Sequence, residues 1–314
     1  MMKLAIVFPG QGAQYAGMGK DLSENFSIAE EVFDTANRVL GYDIKKLCFE
    51  GPEDELIKTE ITQPAILTMS IAAYKVLESK GVKPDVTAGL SLGEYCSLVV
   101  SGSLDFKDAV KLVSKRGKYM QDTVPQGMGG MAAVIGLDRA TVEHICKEAA
   151  DTGVVEPANI NCPGQIVISG ELKAINRASL LAKEKGAKRV INLSVSAPFH
   201  CSLLKPAGEK LSTDLEGVEF KHLSVPVITN VTGEYIKDEC EIRDLLIRQV
   251  SNPVLWEDSI RLMLKDGVDT FIEVGPGRAL SGFIKKIDKD VSIFNVENMN
   301  TLDNTLEALK LKGW

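Results

Sequence analysis

Histidine is scarce in this 314-residue chain, with three copies, and tryptophan scarcer still, with two. The six cysteines (Cys48, Cys96, Cys146, Cys162, Cys201, Cys240) include no CxxC pair. They are too few and too scattered for a disulfide framework, and no metal-ligand spacing appears among them. Such usage fits a reducing cytoplasm. Basic charge is not in excess: 36 Lys and Arg stand against 43 Asp and Glu, a formal net charge of −7. Nonspecific nucleic-acid binding is a poor reading for such a chain. Long apolar runs are missing too. The apolar start at residues 4–8 is long enough for a buried strand but not for a signal peptide or a membrane span. Internal repeats and low-complexity segments are also absent.

What remains is an ordinary globular composition, 45% hydrophobic and 25% charged. The length suits one large domain, or a large domain carrying a smaller one.

The most informative stretch is 85–101. Val86 and Ala88 lead into Gly89-Leu90-Ser91-Leu92-Gly93, and an apolar helical pattern follows through Tyr95, Leu98 and Val99. Gly-x-Ser-x-Gly between a strand and a helix is the nucleophile elbow. Its serine hydroxyl points out of the sheet, and the flanking glycines let the backbone pass without Cβ clashes. The Leu92 N–H, at the helix start, is placed to face an oxyanion formed when Ser91 attacks a carbonyl. The plainer alternative is a strand–helix turn that happens to contain a serine.

Residues 4–8 read as a central parallel strand, broken by Pro9-Gly10-Gln11-Gly12. A dinucleotide fingerprint would need a third glycine where Tyr15 stands, so that reading fails. A tight loop presenting the Gln11 N–H would instead supply the second oxyanion donor an elbow needs. Helices are predicted at 27–40, closed by Gly41, and at 62–80, with Pro64 in the first turn. Another is predicted from an N-cap at Ser103 to about residue 121. Arg116 lies near the end of the last. With Lys111, Lys115 and Lys118 around it, it reads either as part of a solvated face or as a bidentate grip for a carboxylate.

From 127 to 193 the rhythm changes. Strand, helix, strand, strand, helix, strand is the order of the split βαβ, ferredoxin-like unit. It is read as a small domain, 127–193, inserted into a large one made of 1–126 and 194–314, with hinges at 124–127 and 194–198. Strands are also predicted at 226–230 and 270–274, helices at 242–250 and 255–265. The turn Gly275-Pro276-Gly277 leads into a further helix.

A serine nucleophile needs a base, and histidine scarcity narrows the search. His144 sits among polar helix residues and His222 beside Lys221, both surface settings. His200, in Ala197-Pro198-Phe199-His200, follows the serine in chain order and is the better candidate. The group that would orient it is an acid between the two or a backbone carbonyl; no acid stands out by motif.

Taken together, FPGQGAQ, GLSLGEY, KRGKYMQ, ANINCPGQIVISG, APFHCSLLKPA, QVSNPVLWEDS and EVGPG resemble, in order, the malonyl-CoA:acyl carrier protein transacylases of fatty-acid synthesis. The resemblance runs from residue 4 to about residue 300. It implies an α/β-hydrolase-like parallel-sheet domain with an inserted ferredoxin-like domain and a site in the cleft between them. By resemblance, Ser91 is the nucleophile, His200 its base, and Gln11 and Leu92 the oxyanion donors. Arg116 pairs with the malonyl carboxylate, and a main-chain carbonyl near Gln249 holds the histidine. Asn159 and Asn161 face the cleft, and Phe199 is associated with malonyl over branched substrates. One departure is Leu90, where many members carry histidine.

The resemblance implies no cofactor and no metal; malonyl-CoA and acyl carrier protein are the substrates and partners, with no membrane. An acidic carrier would need a basic patch, at Lys111, Lys115 and Lys118 or at Lys185, Lys188 and Arg189. A serine esterase or thioesterase, a non-catalytic docking subunit and a polyketide loading subunit are the rival readings.

Overall fold

The computed structural model describes residues 2–195 and 197–313. Ser196, within the second expected hinge, lies outside them.

Two sheets organise the described residues. The first holds five parallel strands: β1 (Leu4–Phe8), β2 (Val86–Gly89), β7 (Val227–Ile228), β8 (Thr270–Val274) and β9 (Ser292–Val296). Their order is β7-β2-β1-β8-β9. The second is antiparallel: β3 (Gly129–Ile135), β4 (Val155–Cys162), β5 (Gln165–Glu171) and β6 (Arg189–Asn192), in the order β4-β5-β3-β6.

The parallel strands are apolar because both faces are covered. β1, β2 and β8 are buried along their whole length. Leu4, Ile6 and Phe8 face one apolar cluster, which includes most of helix Thr59–Ser79. Ala5, Val7, Val86 and Ala88 face another, with Trp256 and Phe271. On the antiparallel sheet, Ala132, Val134, Ile166 and Ile168 pack with helices Arg139–Ala149 and Leu172–Glu184. Met131, Ala133 and Val167 turn the other way and join the large cluster.

The register of the parallel sheet sets the site. Phe8 pairs with Gly89, and the Leu90 N–H donates to the Phe8 carbonyl at 3.0 Å. The loops after β1 and β2 are therefore neighbours at the carboxyl edge. β1 also has β2 on one side and β8 on the other. Open α/β sheets bind ligands outside such a reversal point.

Several predicted boundaries moved. Helix 62–80 begins earlier, at Thr59, so Pro64 lies beyond the first turn. The apolar pattern starts at Ile61 and hides the polar lead-in. The helix predicted from Ser103 runs from Phe106 to Thr123, and Asp105, not Ser103, caps it by accepting from the Lys107 N–H. The strand predicted at 226–230 shrinks to Val227–Ile228, because the chain leaves the sheet at Thr229. Strand β9 and helices Lys205–Glu216 and Met299–Leu311 were not foreseen. β9 is only half-buried at the sheet edge, so its apolar signal is weak.

Candidate active site

Ser91 sits at the sharp turn after β2 with φ 54°. The flanking glycines are required by space rather than by φ. A Cβ on Gly89 would lie 1.9 Å from the Gly93 carbonyl carbon, and one on Gly93 would lie 2.2 Å from the Phe8 oxygen. The Ser91 N–H donates to Asn230 Oδ1 at 2.6 Å, and Asn230 Nδ2 donates to the Gly89 carbonyl at 2.7 Å. One asparagine thus clamps both sides of the turn.

His200 meets this serine: Ser91 Oγ and His200 Nε2 are 2.6 Å apart. Nδ1 lies 2.8 Å from the Gln249 carbonyl oxygen. A carbonyl can only accept, so Nδ1 carries the proton and Nε2 presents its lone pair to the serine. The imidazole's partner on this side is a backbone carbonyl rather than an acid. The histidine loop is pinned to β4, where Glu156 accepts from the Ser202 N–H at 2.8 Å and its hydroxyl at 2.7 Å. Burial, and then the Arg116 charge, push the His200 imidazole down to about 3. His144 and His222 are exposed on the surface, as expected.

Arg116 is not on a solvated face. It is 1% exposed. The lysines around it point outward, because helix Phe106–Thr123 turns one face inward. Nη2 donates to Ser91 Oγ at 3.1 Å and to Gln249 Oε1 at 3.0 Å, and Nη1 donates to Gln63 Oε1 at 2.8 Å. Burial holds the guanidinium below its ordinary range. No carboxylate hydrogen-bonds it among the described residues; Glu94 acts on its charge only through space, which leaves the guanidinium able to pair with a carboxylate brought into the site.

A cavity of about 470 Å³ opens over these groups. Gln11, Leu90, Ser91, Leu92, Arg116, Asn159, Asn161, Phe199 and His200 all line it. The Gln11 side chain reaches Thr59 at 3.3 Å. The Gln11 and Leu92 backbone N–H groups have no hydrogen-bond partner among the described residues. Asn159 and Asn161 come from β4, next to a break in its register with β5. The opposite wall is helix Ala279–Ile287, through Ala279, Leu280 and Phe283. Glu273 caps that helix, accepting from the Ser281 N–H at 2.7 Å. Among the described residues, no group of three His, Cys, Asp or Glu could hold a metal ion, and no helix is long and apolar enough to cross a membrane.

Three site residues escaped the sequence reading: Glu94, Asn230 and Gln63. Glu94 had a signal, as the one charged residue in the apolar helix Gly93–Val100. Gln63 and Asn230 had none, because ordinary polar residues stand out only once their partners are known.

The match to known proteins agrees with this geometry. An acyl transferase domain model matches residues 5–299. A malonyl CoA-acyl carrier protein transacylase of Bacillus subtilis is 46% identical over 99% of this chain and 98% of its own length. This chain belongs to the malonyl CoA-acyl carrier protein transacylase family. The crystal structure of such a transacylase from Clostridium perfringens superposes with a TM-score of 0.97 at 50% identity, covering 99% of this chain and 98% of that one. A malonyl-transacylase in complex with its type II PKS acyl-carrier protein superposes with a TM-score of 0.95 at 45% identity, covering 98% of this chain and 99% of that one. Leu90, the departure before the serine, lines the pocket, and the Ser91–His200 contact is present beside it.

Proposed function

We propose that this enzyme moves the malonyl group from malonyl-CoA to the phosphopantetheine thiol of acyl carrier protein, through a malonyl ester on Ser91. The observation that carries the reading is the shared hydroxyl. Ser91 Oγ lies within hydrogen-bond reach of both the neutral His200 Nε2 and the Arg116 guanidinium.

In the first half-reaction Ser91 Oγ bonds to the thioester carbon while its proton passes to His200 Nε2. The carbonyl oxygen takes up negative charge, facing the Gln11 and Leu92 N–H groups. The C–S bond then breaks, and His200 returns the proton to the departing coenzyme A sulfur. In the second half, the carrier thiol gives its proton to His200 and attacks the ester, and Ser91 recovers the proton as it leaves. These steps draw on protein groups and the two substrates alone.

Arg116 supports malonyl as the acyl group. A free carboxylate would pair with its buried charge, whereas an acetyl group would leave that charge unpaired. The same pairing assists the base. Neutralising Arg116 removes one of the two causes that depress His200, so the correct substrate raises the basicity of its own catalyst. Asn159, Asn161 and Phe199 are assigned to the substrate wall.

The partition into a large domain (1–126 and 194–314) and a small inserted one (127–193) fits two sheets with separate strand sets. The antiparallel order β4-β5-β3-β6 supports a ferredoxin-like small domain, and the Ser91 elbow after a parallel strand supports a hydrolase-like large one. Six free thiols fit a cytoplasmic enzyme.

The carrier is assigned to the Lys185, Lys188 and Arg189 patch. Lys115 is paired with Asp214, and Lys118 with Asp122, so the alternative stretch is less free. The type II PKS carrier seen with the similar transacylase is the specific reason to weigh a polyketide carrier beside a fatty-acid one.

Intact-protein mass spectrometry after mixing with malonyl-CoA tests the reading. A malonyl adduct on the wild type, none on Ser91→Ala, and its transfer to either carrier are expected. Release of free malonate without transfer would make the protein a hydrolase instead. Absence of any adduct would overturn the reading.

A further inference from the structure

Glu94 is fully buried one turn after the nucleophile, and the steps above do not use it. Its Oε2 accepts from Gln249 Nε2 at 2.7 Å and from the Asn230 N–H at 2.9 Å. Both partners reach Ser91. Gln249 Nε2 also donates to the Ser91 carbonyl at 3.0 Å, while Asn230 Oδ1 accepts from the Ser91 N–H. The other end of the Gln249 amide, Oε1, accepts from Arg116. The Gln249 main chain holds His200. One carboxyl oxygen therefore stands behind the nucleophile turn and behind the arginine that faces the acyl group.

We propose that Glu94 is a positioning residue for acyl selection: it holds the Gln249 side-chain amide so that Oε1 keeps Arg116 beside Ser91. An acceptor at this point admits only the N–H end of the amide, which leaves the carbonyl end for the guanidinium. Without it, the N–H of Asn230 would be buried without a partner, and one N–H of Gln249 would keep only Asn230 Oδ1, a long contact at 3.4 Å. The amide would turn or shift to find another acceptor, and Arg116 would follow. The Gln249 and Asn230 bonds both fall on Oε2; the carboxyl's other polar neighbour is the Thr229 hydroxyl, which can accept an N–H put in place of Oε1. A neutral acceptor of the same shape therefore suffices, and glutamine meets that requirement. Burial, the largest influence, pushes the carboxyl up to about 7, in keeping with an acceptor that does not need its charge. This inference deepens the transfer reading above and rests on it for the identity of the acyl group.

The test compares Glu94→Gln, Glu94→Ala and Glu94→Met by two readouts. One is the ratio of acylation rates with malonyl-CoA and acetyl-CoA. The other is the rate at which a fluorophosphonate labels Ser91. E94Q is expected to keep the wild-type ratio to within about threefold. E94A and E94M are expected to lose malonyl acylation by on the order of 10–100-fold, with a smaller loss for acetyl, so the ratio collapses. E94M keeps the volume of the side chain, so it answers if E94A fails to fold. A wild-type ratio in E94M, or equal losses in E94Q and E94M, would overturn the proposal. A wild type that formed no malonyl ester would instead sink the transfer reading, and the order of fluorophosphonate rates, E94Q above E94M, would still judge the positioning role.

Discussion

Ser91 and His200 stand 109 positions apart in the chain and 2.6 Å apart in space, and both have left-handed backbone, with φ 54° and 58°. Among the described residues they are the only non-glycines that do. Each such residue costs roughly 1–3 kcal/mol and persists only where its surroundings enforce it. Asn230 enforces the first, and the Gln249 carbonyl and the Glu156 anchor enforce the second. Strain is thus concentrated on the two side chains that meet at 2.6 Å.

That strain is measurable. Ser91→Gly and Ser91→Ala lose the same hydroxyl, but glycine takes the left-handed turn without the Cβ penalty that alanine incurs. Ser91→Gly is expected to be the more stable by about 1 kcal/mol in urea denaturation. Equal midpoints and slopes would show that no strain is held at position 91.

Close approach at the elbow leads to a second expectation. Gly93→Ala places a methyl 2.2 Å from the Phe8 oxygen, inside a fully buried sheet. Backbone cannot yield there as a flexible side chain could. A loss of about 1–3 kcal/mol is expected, with Ser91 labelling slowed as the turn is displaced. Wild-type stability in Gly93→Ala would contradict the contact.

Arg116→Ala is expected to cut malonyl acylation by on the order of 10²–10³-fold, because the substrate carboxylate would then lie buried without a partner. Acetyl acylation should fall far less, so relative preference shifts to acetyl. Separate acylation rates with the two thioesters check this. An unchanged preference would remove Arg116 from acyl selection.

Two buried groups respond to pH in opposite directions. Glu94 is pushed up to about 7 from an ordinary 4.5, so the folded state holds its proton the more tightly. Its contribution to stability is full below about 4.5 and lost as pH rises through about 7. His200 is pushed down to about 3 from an ordinary 6.5. Its contribution is full above about 6.5 and lost as pH falls toward 3. Glu94→Gln is therefore expected to gain on the wild type by about 2–3 kcal/mol between pH 5 and pH 8. Denaturant titrations at the two pH values decide; a constant difference would show that Glu94 ionises alike in both states. For His200, acylation kcat/KM should show no acid limb at 6.5, since the free enzyme's base stays neutral well below it. A limb at that value would show an unperturbed imidazole.

The chain itself determined which chemistry is available. Gly89-Leu90-Ser91-Leu92-Gly93 between apolar strand and helix patterns was legible because steric limits on the turn act within five residues. His200 was legible because only three histidines exist, and helix Ser27–Leu40 because its apolar period and its Gly41 stop are local. Local patterning could not say that Arg116 leaves a lysine-rich stretch for the interior, or that Asn230 and Glu94 brace the Ser91 turn. Those outcomes depend on partners more than 20 positions away, which the parallel register of β1 with β2, and the return of the chain through His200 and Gln249, bring to one point. Burial then does what no sequence pattern encodes. Removing water from Arg116, His200 and Glu94 together makes their charges and protons depend on one another, and the tertiary structure alone decided that.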